Sequence, residues 1–201
     1  MRASILSIRG LTLIAALLAT ACGGGSSDGV SSATDAAPTA NTITTAPDEG
    51  SIDLPNLGPH EELVEIDGWL QTDIQSLEEL RGSVIVVQFW TFGCVNCRNT
   101  LENLRALHAE YGAESFEIVG IHSPEFVYEK DPGAVADAAT ELGVSWPIAL
   151  DTERRTFRRW QGSPAYWPRT YVLDRDGIVR FDHIGEGAYE ELNEAVAVLL
   201  G

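Results

Sequence analysis

Cysteine is scarce in this 201-residue chain, which has three: Cys22, Cys94 and Cys97. Three cannot build a framework of several bridges, so an apolar core must hold the folded part, and 44% hydrophobic residues can supply one. Positive charge is also short. From Pro59 to Gly201, 25 acidic residues stand against 11 basic ones, a formal net charge of −14, which repels phosphate backbones and anionic lipid headgroups. Nucleic acid is therefore not an expected partner. The basic cluster Arg154, Arg155, Arg158 and Arg159 is spaced as a solvated helix face paired with carboxylates. Histidines are single and scattered, at His60, His108, His122 and His183. With no second ligand pair, a four-ligand zinc site is not expected. No internal repeat is present, and the length fits one working domain.

What is present begins with a leader. Arg2 and Arg9 flank the start of an apolar run, Leu11 to Ala21, that is too short for a comfortable membrane span and ends in small residues before Cys22. Residues 1–21 therefore read as a secretory signal. Residues 22–58 are mostly Gly, Ser, Thr, Ala and Pro, a composition that cannot offset the entropy of ordering and reads as a flexible tether. Residues 59–201 are the expected folded domain.

Within that domain, Val84 to Trp90 is a β-branched apolar run, the mark of a buried central strand. Leu101, Leu104, Leu107 and Tyr111 recur at helical spacing and Gly112 follows, predicting a helix from the cysteines to Tyr111. Phe116 to Ile121 is a second strand. Strand, long helix, strand implies a right-handed parallel crossover. Further helices are expected over 131–142 and 152–160, with a strand over 146–150 between them. A hairpin follows, its strands 169–173 and 178–184 joined by Asp174-Arg175-Asp176-Gly177, and a last helix covers 189–200.

Cys94-Val95-Asn96-Cys97 sits where the first strand meets the helix. Unpaired N–H groups at a helix start stabilise a thiolate, which makes Cys94 the nucleophile. A spacing of three puts Cys97 within one helical turn, where it can attack a mixed disulfide and release the substrate. No cofactor beyond this redox-active pair is expected.

Two resemblances extend the reading. Leu18-Ala19-Thr20-Ala21-Cys22 resembles the lipobox of bacterial lipoproteins, with Ala19 where that motif usually has Leu. It implies lipidation of Cys22 and an extracytoplasmic protein anchored to the cell membrane. The alternative is an ordinary cleaved signal, which leaves Cys22 as an odd thiol and the protein secreted.

Phe89 to Cys97 resembles the active-site segment of thioredoxin-like proteins, and Pro168-Arg169-Thr170-Tyr171-Val172-Leu173-Asp174 is similar to the cis-proline segment of TlpA/ResA/DsbE-like thiol-disulfide oxidoreductases. The likeness extends to His122-Ser123-Pro124-Glu125-Phe126, Trp146 to Asp151 and Gly185-Glu186-Gly187, which resemble the thioredoxin-like (redoxin, AhpC/TSA-type) domain of actinobacterial cytochrome c biogenesis proteins. It covers about Leu63 to Leu200. It implies an α/β thioredoxin-like fold, a central mixed sheet flanked by helices, with a TlpA/peroxiredoxin-type insertion between Ile121 and Trp160. By the same resemblance Pro168, Trp167 and Trp90 lie against substrate. The chain departs from the pattern at two places, with Gln88 where thioredoxin has a buried Asp and Thr100 where the ResA type has Glu. Glu125 is the candidate proton relay in their stead.

The leading expectation is disulfide exchange with protein thiols or disulfides, served by a membrane electron donor or acceptor of the disulfide-relay type. Resemblance favours a reductant, with cytochrome c maturation as a setting. Peroxide reduction is an alternative, since Thr91 and Arg169 match parts of the peroxiredoxin pattern, although its proline is Val87 here. A tethered binding module with a static disulfide is the non-enzymatic alternative.

Overall fold

The computed structural model describes residues 53–112 and 115–201, which belong to one compact unit. The leader, Cys22 and the tether up to residue 52 lie outside the described residues.

Among the described residues, six strands form one mixed sheet: β1 (Trp69–Leu70), β2 (Val84–Trp90), β3 (Phe116–His122), β4 (Ile148–Leu150), β5 (Arg169–Leu173) and β6 (Val179–Ile184). Their order is β1-β4-β3-β2-β5-β6. β3 runs parallel to both β2 and β4, and the remaining pairs are antiparallel. Four helices of the described residues flank the sheet: α1 (Val95–Tyr111), α2 (Pro132–Glu141), α3 (Arg155–Gln161) and α4 (Tyr189–Leu200), with short 3-10 turns at Leu77–Leu80 and Val127–Lys130.

β2 is central and every one of its residues is buried, as an uninterrupted β-branched run requires. Alternate side chains serve two cores. Val84, Val86 and Trp90 join Leu101, Leu104, Ile118, Val135 and Leu192 beneath α1, α2 and α4. Ile85, Val87 and Phe89 join Phe157, Tyr171 and Leu173 on the α3 side. Each such side chain contributes about 1.5–3 kcal/mol when fully buried. Gly120 on β3 makes room for two indoles, because a Cβ there would stand 2.8 Å from Trp90 Nε1 and 3.3 Å from Trp146 Nε1.

The expected elements form, with shifted ends. α3 starts at Arg155 rather than at residue 152, because Asp151 turns its carboxylate onto the N–H groups of Thr156 (3.1 Å) and Phe157 (2.8 Å). β4 is shorter than expected since Pro147 has no N–H to pair. α2 begins with Asp131 accepting from Ala134 N at 2.9 Å and Pro132 in the first turn. Arg155 pairs with Glu65, and Arg159 with Glu61 at 2.9 Å.

The folded unit also takes in the end of the stretch read as tether. Leu57 N donates to Val179 O and Val179 N to Gly58 O, both at 2.9 Å, while Arg180 binds the carbonyls of Pro55 and Leu54. Composition misses this because the strand that supplies these partners lies more than a hundred residues away.

Candidate active site

Cys94 lies in the turn that leaves β2. Its N–H donates to Thr91 O at 3.2 Å, closing the turn, and α1 starts at the next residue. The Cys94 sulfur accepts the Cys97 N–H at 3.3 Å, the contact expected of a helix-capping thiolate. Both cysteines are free thiols, Cys94 half-buried and Cys97 at 0% exposure. The two sulfurs differ in acidity. The hydrogen bond from the Cys97 thiol, reinforced by backbone N–H groups, lowers Cys94 to about 7 against the opposing effects of burial and the Glu125 charge. Burial pushes the Cys97 thiol up, and donation to Cys94 and the nearby charge of Glu129 push it further. One sulfur is thus accessible and ionised near neutrality, while its partner is sealed and protonated.

The two positions where the resemblance leads to an expected carboxylate are occupied by neutral groups bonded to each other. Gln88 Nε2 donates to Thr100 Oγ1 at 2.8 Å, and Thr100 Oγ1 donates to Cys97 O at 2.7 Å. Glu125, the carboxylate expected to replace them, is exposed, and its charge raises the Cys94 pKa. A buried carboxylate does meet the Cys94 turn, that of Glu129, at 0% exposure. It accepts Gly93 N on Oε1 at 2.9 Å, and Glu125 N and Phe126 N on Oε2 at 2.6 and 2.8 Å. Gly93 permits this approach, since a Cβ there would stand 2.2 Å from Glu129 Oε1. Sequence reasoning passed over Glu129. The available signal was its place at the third residue of a short helical turn, where a Glu reaches back to the capping N–H.

His122 is buried beneath the same loop, stacked on Phe92 at 5.6 Å and edge-on to Trp90 at 5.5 Å. Burial lowers its pKa to about 4, with the Glu129 charge opposing. Among the described residues, no group of three or more His, Cys, Asp or Glu side chains is placed to hold a metal ion.

Of the residues expected to meet substrate, Trp90 must be corrected. It is 1% exposed and part of the core beneath α1, so it offers substrate no surface. Trp167 is half-buried, donating Nε1–H to Ser123 O at 2.9 Å and stacking on Phe157 at 4.2 Å. Ser123 in turn donates to Asp151 at 2.9 Å, which fixes this wall from two loops. The Trp167–Pro168 peptide is cis. Because Phe89 faces Arg169 in the β2–β5 register, Pro168 falls opposite Trp90 at the end of the sheet where the Cys94 turn begins. The peroxiredoxin-like residues are otherwise engaged: Arg169 forms a two-point ion pair with Asp182 at 2.8 and 2.6 Å, and Thr91 is fully buried.

A dithiol of this asymmetry, carried at a strand-to-helix junction of a helix-flanked mixed sheet, defines a class of thiol redox proteins. Residues 64–182 match the AhpC/TSA family, and the chain belongs to it. The chain is similar to Protein DipZ of Mycobacterium tuberculosis, 36% identical over 155 residues, covering 76% of this chain and 22% of DipZ. It therefore spans about a fifth of the length of that relative. It is also similar to thiol-disulfide oxidoreductase YkuV of Bacillus subtilis, 22% identical over 138 residues, covering 69% of this chain and 91% of YkuV. Among solved structures, a DsbF homologue from Corynebacterium diphtheriae superposes with a TM-score of 0.61 at 22% identity, covering 77% of this chain and 97% of that one. The thioredoxin-like fold is thereby established, and family and relatives together support a redox enzyme.

Proposed function

We propose that the chain is a membrane-tethered, extracytoplasmic thiol-disulfide oxidoreductase that reduces disulfides in protein substrates. The observation that carries this reading is the asymmetry of the pair, with Cys94 accessible and lowered to about 7 and Cys97 fully buried behind it.

The Cys94 thiolate attacks one sulfur of a substrate disulfide, forming the mixed disulfide and releasing the other substrate sulfur as a thiolate that takes a proton. Cys97 then loses its proton and attacks Cys94 Sγ. The substrate leaves as its second thiol, and the Cys94–Cys97 disulfide forms. Two electrons have passed to the substrate, so a dithiol donor must restore the pair, and a membrane disulfide-relay protein is the class that fits. Cys22 is the proposed lipid anchor. Thiols of apocytochrome c, kept reduced for haem attachment, are the proposed setting, a reading supported by the sequence resemblance.

The test is the reduction potential of the pair, with Cys94→Ser as the control. A value near or below about −270 mV supports a reductant, and one near about −120 mV makes the protein an oxidant instead. Mass spectrometry of the mature N-terminus tests the anchor, which predicts diacylglycerol on Cys22 and release of the Cys22→Ser variant from membranes.

A further inference from the structure

A buried carboxylate next to a redox pair is costly unless both of its oxygens are hydrogen-bonded. Glu129 meets that condition without a cation. Its neighbour Lys130 is turned to Glu153 at 2.8 Å, and the carboxylate is satisfied by three backbone N–H groups from two loops. One of those groups belongs to Gly93, the residue before the nucleophile, so the negative charge is fixed against the dithiol. The ordinary carboxylate positions, Gln88 and Thr100, hold no charge that could do the same.

We propose that Glu129 is the positioning residue of the dithiol, joining the Cys94 turn to the loop after β3 and holding a fixed negative charge against that turn that keeps the pair reducing. This rests on the redox reading above. Two sulfurs in contact share one proton at neutral pH; burial keeps it on Cys97, and the Glu129 charge adds to that bias. The proton stays on Cys97, which donates to the Cys94 thiolate. The same anion, bonded to the N–H of the residue before Cys94, opposes a thiolate in the reduced pair but meets no such charge in the disulfide, so it favours oxidation of the pair and makes it a better donor of electrons.

The experiment is redox equilibration of the full folded domain with glutathione, comparing the unsubstituted protein, Glu129→Gln and Glu125→Gln. Glu129→Gln keeps the side-chain volume and removes the charge. It should move the equilibrium constant about tenfold toward the dithiol, about 30 mV for a two-electron couple, whereas the exposed Glu125→Gln should move it by less than about twofold. A folded Glu129→Gln protein with an unchanged constant overturns the proposal and leaves the redox function standing. A pair that resists reduction in the unsubstituted protein overturns both. Should Glu129→Gln not fold, the amide resonances of Glu125 and Phe126 in the unsubstituted protein decide. Both donate to Glu129 and neither adjoins a cysteine, so they should shift when the pair is reduced, and stationary resonances overturn the proposal.

Discussion

The two sides of the dithiol solve the problem of buried polarity differently. Toward β2, Gln88 and Thr100 form a neutral relay ending on the Cys97 carbonyl, each group satisfying the next. Toward the loop after β3, a carboxylate at 0% exposure is satisfied by backbone N–H groups alone. The neutral side is built within two regular elements and tolerates local repair. The charged side depends on two loops and a glycine meeting at one place, and a change in any of them reaches the others.

The largest effect that bears on this contrast is expected at the cysteines themselves. Cys94→Ser should lower reduction of a protein disulfide such as insulin by at least about a thousandfold, equivalent to about 4 kcal/mol. Cys97→Ser should instead accumulate a mixed disulfide visible as a mass adduct, and equal behaviour of the two variants would erase the asymmetry.

Acid should break the charged side next. His122 is held neutral with a pKa of about 4 against an ordinary 6.5, so the unfolded chain binds a proton that the folded one refuses. Stability is therefore complete above about pH 6.5 and falls as pH drops toward 4, by up to roughly 3 kcal/mol. Urea melts across that range should show a shallower acid limb in His122→Phe than in the unsubstituted protein.

Gly93→Ala places a methyl group 2.2 Å from Glu129 Oε1 and 2.6 Å from the Tyr128 hydroxyl. Overpacking of that kind costs about 1–3 kcal/mol, read as a lower urea midpoint at constant slope. The smallest effect belongs to the neutral side. Thr100→Val leaves the Gln88 amide without its acceptor and should cost about 1–2 kcal/mol, while the glutathione equilibrium stays within about twofold. A larger redox effect at Thr100 than at Glu129 would reverse the assignment of the two sides.

Much of this architecture was legible in the residues, and the reason differs by element. β2 and α1 announce themselves through a seven-residue apolar run and a repeat at helical spacing, both local patterns. The C-x-x-C pair is legible because its chemistry depends on adjacent residues. β1, two residues long, has no pattern to read and exists because Trp69 and Leu70 find β4. Glu129 escaped for a related reason. Its burial is made by Gly93, 36 residues away, and no periodicity links a 3-10 turn to a distant loop. Glu125 looked eligible because the loop after the second strand could carry it toward Cys97, yet it faces water. Trp90 looked like a contact residue by its place beside the cysteines, but strand alternation turns its indole into the core.

The complete burial of Cys97 gives the molecule an internal gauge of its own breathing. Among the described residues, an alkylating reagent should count one reactive sulfur in the intact dithiol form, since of Cys94 and Cys97 only Cys94 reaches the surface. A second equivalent can enter only when the first turn of α1 lifts from the sheet, so its slow phase measures the free energy of that local opening directly. Partners, lipids or substitutions that loosen the helix start would then be detected as a faster second count, without any added label.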